Sequence, residues 1–510
     1  MAISSKIVSL ETLSRLSQEA RARGEAVVQC HGVFDVLHVG HLRHLEAARR
    51  HGTMLVVTIT ADRFVNKGPG RPIFNNDLRC EMLAALDVVS YVAVNNNGNA
   101  VPAIEAVKPT VFAKGGEYVD PKDDVTGQIV VEKATVERFG GRIEFTHDLT
   151  FSSSSLINSA FDVYSPALNV YLRTARERGL MTELSGVVEA IGKLKVLFVG
   201  DMIVDEYAYV RPMGKSAKDN IIATLYQGDE CFAGGVVAAA NNMAEMCGSV
   251  DVLTMLGDQR SYETVIRESL RPNINLQLTR RADAPTTRKC RYVDPNYTRK
   301  LFEVYYMDDT PLPSAEQAAF DGLLKEQIAD YDVVVVTDFG HGLIADSTRR
   351  VLEEGARFLA VNTQTNSANI GYNLINNYRR ADLVCIDAPE ARLATRERYA
   401  PLEQVIRERL TGLIDCGRFI VTNGANGCYT YEPAEQRLSH VPAFVTEVVD
   451  TVGAGDAFLS VASPVASLGV PLEYAGFMGN AVGGIKVGIV GHRRSIGKAE
   501  VVKFITALLK

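Results

Sequence analysis

The 510-residue chain has no basic excess, no paired cysteines and no long apolar run, and each absence removes a class of function. A net charge of -7 argues against a general nucleic-acid binder, which carries a basic excess or stripe. Local basic pockets for phosphates remain compatible with it. The eight cysteines (Cys30, Cys80, Cys231, Cys247, Cys290, Cys385, Cys416 and Cys428) make no Cys-x-x-Cys pair. In a long chain that scatter points to reduced, buried thiols rather than a disulfide frame or a zinc site. No uninterrupted apolar stretch approaches 18 residues, so neither a spanning helix nor a membrane partner is expected. The opening MAISSKIVSLETLSRL lacks the basic start and apolar run of a signal peptide, and a cytoplasmic address is the expectation. What is present is ordinary globular material, 46% hydrophobic and 23% charged. The length exceeds what one hydrophobic core organises, so two or three domains are expected.

Short apolar runs alternate with helical patterns from Val27 to about Phe161, as a parallel α/β sheet requires. Strands are expected at Val27–Cys30, Met54–Ile59, Tyr91–Val94, Val111–Ala113 and Arg142–Phe145, with helices near Leu42–Arg50 and Asp77–Leu86. Residues 162–193 are amphipathic without a strand-like run and read as connecting helices. A new strand begins at Lys195, and buried-strand runs recur at Val333–Thr337, Leu383–Ile386 and Phe419–Thr422. The expected division is 1–161, a helical linker over 162–193, and 194–510.

Five of the nine histidines fall between positions 31 and 51, in HGVFDVLHVGHLRHLEAARRH. A strand ending near Cys30, a turn over Gly32–Asp35 and a helix from Val39–Gly40 would aim backbone N–H groups at one spot, where an anion can sit. His38 and His41 can face that spot, and the small Gly40 lets a ligand approach. Two imidazoles beside a polyphosphate can donate to charge developing on the α-phosphate and the leaving pyrophosphate. The pair alone is equally compatible with a metal site or a solvated face.

The order of Gly32, Phe34, Asp35, His38, Gly40 and His41 resembles the Gly-x-Phe-Asp…His-x-Gly-His signature of the cytidylyltransferase-like nucleotidyltransferases. KGPGRP (Lys67, Gly68, Arg71, Pro72), Arg79 and VFAKGGEY (Lys114, Gly115, Gly116) resemble the adenylyltransferase half of bifunctional heptose-phosphate enzymes. The resemblance implies His38, His41 and Lys114 as catalytic residues. It implies Gly32, Phe34, Asp35, Lys67, Arg71 and Arg79 as nucleotide-binding residues. Ser152, Ser153, Ser154 and Ser155 fall where the superfamily carries a phosphate-binding turn, although the same serines could cap a helix.

The most specific segment is DTVGAGDAF at 450–458. Small Gly453, Ala454 and Gly455 let the backbone curl and aim its N–H groups at one point, and a following helix adds its positive end. Asp456 beside such a pocket can accept the proton of an attacking hydroxyl while the loop stabilises the transferring phosphoryl group. A glycine turn with Asp capping a helix is the structural alternative. The segment is no dinucleotide fingerprint, because Phe458 stands where a third glycine belongs, and GKS at 214–216 lacks a P-loop's upstream glycine.

From Lys195 onward the chain resembles the ribokinase-like carbohydrate kinases, and DTVGAGDAF resembles their second signature. The resemblance implies Gly453, Ala454 and Gly455 as the anion hole and Asp456 as the base. Asp205, Gly234, Gly235, Lys289 and Arg291 would line the sugar site, with Thr287 on the same lid strand and TDFGHG supplying Asp338. Thr422, Gly424, Gly427 and Asn480 would bind nucleotide, and Asp387 with Glu390 would stand near magnesium and the phosphates. Three positions depart from the family pattern: Ala238 replaces an asparagine, Asp387 opens the Asn-x-x-Glu motif, and Asn362-Thr-Gln364 replaces Asp-Pro-Lys. Losing a buried amide that bonds a sugar hydroxyl changes specificity strongly. The domain order is also the reverse of that in the familiar bifunctional heptose enzymes.

Together the resemblances imply an α/β chain of two domains, a Rossmann-like nucleotidyltransferase followed by a ribokinase-like domain with a small β lid over Tyr207–Gln227. They imply ATP as substrate, Mg2+ as cofactor, small-molecule sugar phosphate and nucleotide ligands, and a homodimer or higher homo-oligomer. The expected chemistry is phosphorylation of a sugar or sugar phosphate, heptose 7-phosphate first, and adenylyl transfer to a sugar 1-phosphate. The alternatives are the same chemistries on another sugar or polyol phosphate, or a regulatory kinase-like module that lacks turnover.

Overall fold

The apolar runs become strands with little change of bounds. The computed structural model of the chain describes residues 3–65, 67, 68, 70–116, 128–146, 164–296, 299–445 and 448–510. Ser152, Ser153, Ser154 and Ser155 lie outside the described residues. By its internal contacts the chain divides into two units, Met1–Arg176 with Lys498–Lys510, and Glu177–Gly497.

The first unit holds β1 (Val27–Gly32), β2 (Met54–Thr60), β3 (Tyr91–Asn95), β4 (Val111–Gly115) and β5 (Arg142–Thr146). They form one sheet in the order β3-β2-β1-β4-β5 with every neighbouring pair parallel. Helices on both faces explain why β2, MLVVTIT, is apolar without strict alternation: all seven residues are buried. Strand order reverses beside β1, which opens a crevice at the carboxyl ends of β1 and β4. His38 and His41 follow β1 and Lys114 lies in β4, so topology alone brings them to that crevice.

The linker is two helices, Pro166–Glu177 and Leu180–Ile191, separated at Gly179 in a left-handed turn with φ of 72°. They fall to different units, the first almost wholly to the first unit and the second to the other. The expected kinase range of 194–510 also differs at its far end, because the helix Lys498–Leu509 groups with the first unit. The physical reason is its apolar face: Val501, Val502, Phe504, Ile505, Leu508 and Leu509 are buried. Leu508 O accepts from Arg176 Nη2 at 2.9 Å. Burying each large apolar side chain stabilises by about 1.5–3 kcal/mol, so six together rival the ~5–15 kcal/mol stability of a whole domain. Deleting 498–510 should therefore unfold the first unit and leave the second folded. Calorimetry of the truncated chain checks this, and an unchanged pair of transitions would contradict it.

The second unit begins with β6 (Lys195–Gly200), β7 (Met202–Lys215), β8 (Ile222–Gly234), β9 (Ser249–Gln259) and β10 (Ile274–Pro285). β11 (Arg288–Asp294), β12 (Arg299–Tyr306), β13 (Val333–Asp338) and β14 (Leu359–Thr363) follow. After β15 (Arg380–Ala381) come β16 (Leu383–Asp387), β17 (Asp415–Cys416), β18 (Phe419–Thr422), β19 (Cys428–Glu432) and β20 (Arg437–Val441). The main sheet runs β10-β9-β6-β13-β14-β16-β18-β19-β20, parallel through β18 and antiparallel beyond it. The valines of β13 are buried throughout, as a central parallel strand demands. A four-stranded sheet, β12-β11-β7-β8, contains most of Tyr207–Gln227, where the lid is expected, with Lys289 and Arg291 on β11 and Asp205 on β7.

Candidate functional site

The first unit's histidine segment forms the strand–turn–helix expected of it. His38 caps the helix Val39–Arg49, its Nδ1 accepting from Gly40 N at 3.1 Å. The His38 and His41 rings stack at 4.0 Å, and Phe34, held at φ of 51°, lies 5.2 Å from His41. Burial, reinforced by His38 and Lys67, pushes His41 down to about 3, so at neutral pH it is a neutral imidazole.

The acidic and basic residues around the pair are largely engaged. Asp35 is buried, and its Oδ1 accepts from the backbone N–H of Ile73 (2.7 Å) and Phe74 (3.1 Å). It thus anchors the segment after Arg71, whose guanidinium lies 3.9 Å from Asp35 Oδ2. Lys114 is paired with Glu132 at 2.6 Å. Arg79, expected among the nucleotide-binding residues, is fully buried and donates to Val33 O, Thr60 O, Asp62 and Asn76, so it organises the turn. Among the described residues no group of three or more His, Cys, Asp or Glu side chains is placed to hold a metal ion.

In the second unit the loop before helix Ala454–Ser467 is anchored by Asp450, which accepts from Val452 N (3.1 Å), Gly491 N (2.8 Å), Tyr207 OH (2.6 Å) and Lys300 Nζ (2.7 Å). Gly453 has φ of 74°, and a Cβ there would lie 2.3 Å from the His492 ring, so no other residue fits. Of the three amides expected in the anion hole, that of Ala454 donates to Thr451 O. The i→i−4 ladder starts with Ala457 N on Gly453 O, leaving Gly455 and Asp456 amides in the first turn, where helices have no internal acceptor. Asp456 is buried, which raises its pKa, and its Oδ1 accepts from Gln364 Nε2 at 2.7 Å.

Across from Asp456, burial alone would raise Asp205, but His492 and Arg291 outweigh it and hold the carboxyl well below the usual range. Arg291 pairs with Asp205 Oδ1, and His492 Nε2 lies 3.3 Å from Oδ2. A Cβ on Gly234 would meet Asp205 Oδ2 at 2.1 Å, and Gly235 has φ of 55°, which accounts for the glycine pair. Lys289 is buried over Tyr305 and Phe339, and desolvation lowers its pKa. Asp338 accepts from Tyr378 OH at 2.9 Å, and burial with Asp338 nearby pushes Asp201 up to about 7.

Two groups of expected residues are given structural work. Asp387 and Glu390 form a capping box on helix Ala388–Thr395. Both Glu390 oxygens accept backbone N–H groups, from Asp387 and Thr365, and burial pushes its carboxyl up to about 8. Asn480 donates to Val441 O and Pro442 O, tying down the end of β20. Thr422 ends β18, and Gly424 and Gly427, both at positive φ, shape the turn after it.

The model of the pfkB family carbohydrate kinases matches residues 193–498, more than half of the chain. The chain belongs to that family. A cytidylyltransferase-like model matches residues 30–159. Among curated proteins, Bifunctional protein HldE of Trichlorobacter lovleyi is 41% identical over 142 residues, 28% of this chain and 28% of that protein. Its namesake in Syntrophotalea carbinolica is 37% identical over 164 residues, 31% of this chain and 32% of that one. The chain thus spans about a third of the length of the curated relatives it matches. A crystal structure of phosphofructokinase-2 from Escherichia coli covers 62% of this chain and 100% of its own, with 13% identity and a TM-score of 0.50, a likeness of fold alone.

Within the pfkB unit, sequence reasoning missed Tyr207, Lys300, Asp450, Lys486 and His492. The signal for Lys486 was a lone lysine in the apolar run FMGNAVGGIKVGIV.

The cytidylyltransferase-like unit carries a pH prediction. His31, like His41, is pushed down to about 3, chiefly by burial. The folded unit refuses protons that the unfolded chain takes up near 6.5, so this contribution to stability is complete above about 6.5 and is lost as pH falls toward 3. In calorimetry its transition should move down between about pH 6.5 and 4.5, and less so in His31→Gln. A transition with the same acid dependence in that variant would contradict the assignment.

Proposed function

We propose that the chain is a bifunctional enzyme that makes a nucleotide-activated sugar. The pfkB unit transfers the γ-phosphoryl group of ATP to a hydroxyl of a sugar phosphate, heptose 7-phosphate being the first candidate. The observation that carries this reading is Asp456, buried at the first turn of helix Ala454–Ser467 and bonded to Gln364, with Lys289, Arg291 and His492 grouped around Asp205. The acceptor hydroxyl gives its proton to Asp456, its oxygen bonds to the γ-phosphorus, and ADP leaves. The first-turn amides of Gly455 and Asp456 stabilise the transferring group, while the basic cluster suits an anionic acceptor.

The first unit joins a sugar 1-phosphate to a nucleotide, ATP by resemblance, and releases pyrophosphate. A phosphate oxygen of the sugar attacks the α-phosphorus directly, so no side-chain nucleophile is required. His38, His41 and Lys114 stabilise charge on the α-phosphate and the leaving pyrophosphate. Lys67, beside His41, and Arg71, near Asp35, supply further positive charge. ADP-heptose is the leading product.

Magnesium supplies charge neutralisation of the phosphates in both reactions. Asp387 and Glu390 would stand near it, Glu390 being oriented by the amides of Asp387 and Thr365.

A second acceptor, another sugar or polyol phosphate, is favoured by two observations. Gln364 occupies Asp456, and Ala238 offers no amide to a hydroxyl. A homodimer through the lid belongs to the same proposal, supported by exposed Met213, Ile222, Leu225 and Tyr226 on β7 and β8. Coupled detection of ADP over a panel of sugars and sugar phosphates tests the kinase reading. ADP release that follows one phosphorylated acceptor supports it, and no release with any acceptor contradicts it.

A further inference from the structure

Lys486 is a charged residue where the fold has no ordinary use for one. It ends the apolar helix Leu472–Lys486 and is 1% exposed. Its ammonium donates to Gly491 O at 2.5 Å. Gly491 has φ of 48°, and a Cβ there would meet Phe232 at 2.9 Å, so that carbonyl is fixed in place. The Gly491 N–H in turn donates to Asp450 Oδ2, the anchor of the loop that carries Gly453 and Asp456. The backbone N–H groups of Val449 and Asp450 both donate to Val487 O, binding the same helix end to the same loop. The negative charges that act on Lys486 are Asp450, Asp456 and Asp205, with Arg494 opposing them. Desolvation brings its pKa down to about 8 despite these three carboxylates, which leaves it charged at neutral pH.

A lysine buried this deeply costs several kcal/mol unless its charge is used. A C-terminal cation is favourable to the helix dipole, yet that effect is worth only about 0.3–1 kcal/mol at exposed sites and does not require burial. The larger use is electrostatic. Phosphoryl transfer brings a polyanion onto a loop flanked by three carboxylates, and a fixed cation behind that loop offsets their repulsion without having to move during the reaction.

We propose that the Lys486 ammonium is a resident cation of the kinase site, a positioning residue that holds the Asp450–Asp456 loop through Gly491 and Asp450 and makes it receptive to a phosphoryl group. This inference rests on the kinase reading given above. It follows that the site needs no small cation from solution to fill that place.

The test uses the full-length chain, with MgATP and heptose 7-phosphate as probes and ADP release as the readout. The wild-type rate should be the same in potassium, ammonium and tetramethylammonium chloride at equal ionic strength. Lys486→Met keeps an apolar side chain of similar length and should lower kcat by about tenfold to a hundredfold, less than the loss of a donor in direct contact, with KM for ATP little changed. Lys486→Ala should lose as much and regain several-fold in ammonium or methylammonium, but not in tetramethylammonium, which is too large for the vacated space. A wild type that depends on added potassium or ammonium overturns the inference, whether or not the variants fold. A folded Lys486→Met of wild-type kcat overturns it as well. Asp456→Asn in the same assay separates the two claims. Retained turnover in Asp456→Asn would refute the kinase reading itself, whereas turnover that needs Asp456 but ignores Lys486 refutes only the resident cation.

Discussion

Asp456→Asn should lower phosphoryl transfer by about two to four orders of magnitude, the usual contribution of a positioned general base. The substitution keeps the shape and the bond to Gln364, now made by an amide oxygen, so the pocket stays packed. What is lost is a basic oxygen for the acceptor's proton. Burial already raises the Asp456 pKa, and His492, Gln364 and Lys486 partly offset that rise. A carboxyl tuned upward is the better base. Nucleotidyl transfer from a supplied sugar 1-phosphate should not change. Near-normal phosphorylation in the variant, followed as ADP release, would rule Asp456 out.

His41→Ala should reduce nucleotidyl transfer by about two to three orders of magnitude, as the loss of one oxyanion donor does. ATP binding should weaken much less, because the donor matters most when charge develops in the transition state. The imidazole stacks on His38 and lies beside Phe34, so its removal also loosens His38, and the double variant should cost less than the two single effects multiplied. A structural metal makes the opposite forecast, with lower melting temperature and released metal on substitution. The geometry disfavours it, because Asp35 turns Oδ1 to the amides of Ile73 and Phe74. Pyrophosphate release and elemental content of purified His38→Ala and His41→Ala decide between them. Bound zinc with transfer retained in both variants would contradict the catalytic assignment.

Much of this architecture is legible in short segments. Strand bounds follow from apolar runs such as MLVVTIT and VVVV, and the glycine turn before Asp456 follows from DTVGAGDAF, because burial and backbone freedom act locally. The partners that give each site residue its work are not local. Gln364 reaches Asp456 across 92 positions and His492 reaches Asp205 from the far end of the unit, contacts no spacing rule supplies. The Val33 and Thr60 carbonyls that accept from Arg79 are likewise not given by its motif. Asp387-Ala-Pro-Glu390 also fits a local rule, the capping box, and the capping role is the one the backbone geometry displays. The helix Lys498–Leu509 is plainly amphipathic in sequence, but nothing in KAEVVKFITALL says which unit will bury its apolar face.

The central claim is that one chain performs two successive group transfers on a sugar phosphate. Incubation of the full-length protein with MgATP and candidate heptose and polyol phosphates, with products identified by mass spectrometry, tests it most directly. With an acceptor that the kinase unit phosphorylates, the wild type should yield a doubly phosphorylated sugar, and with a sugar 1-phosphate it should yield the nucleotide sugar and pyrophosphate. Asp456→Asn should remove only the first product and His41→Ala only the second. Loss of both products in either single, folded variant, or formation of neither by the wild type across the panel, would contradict the account.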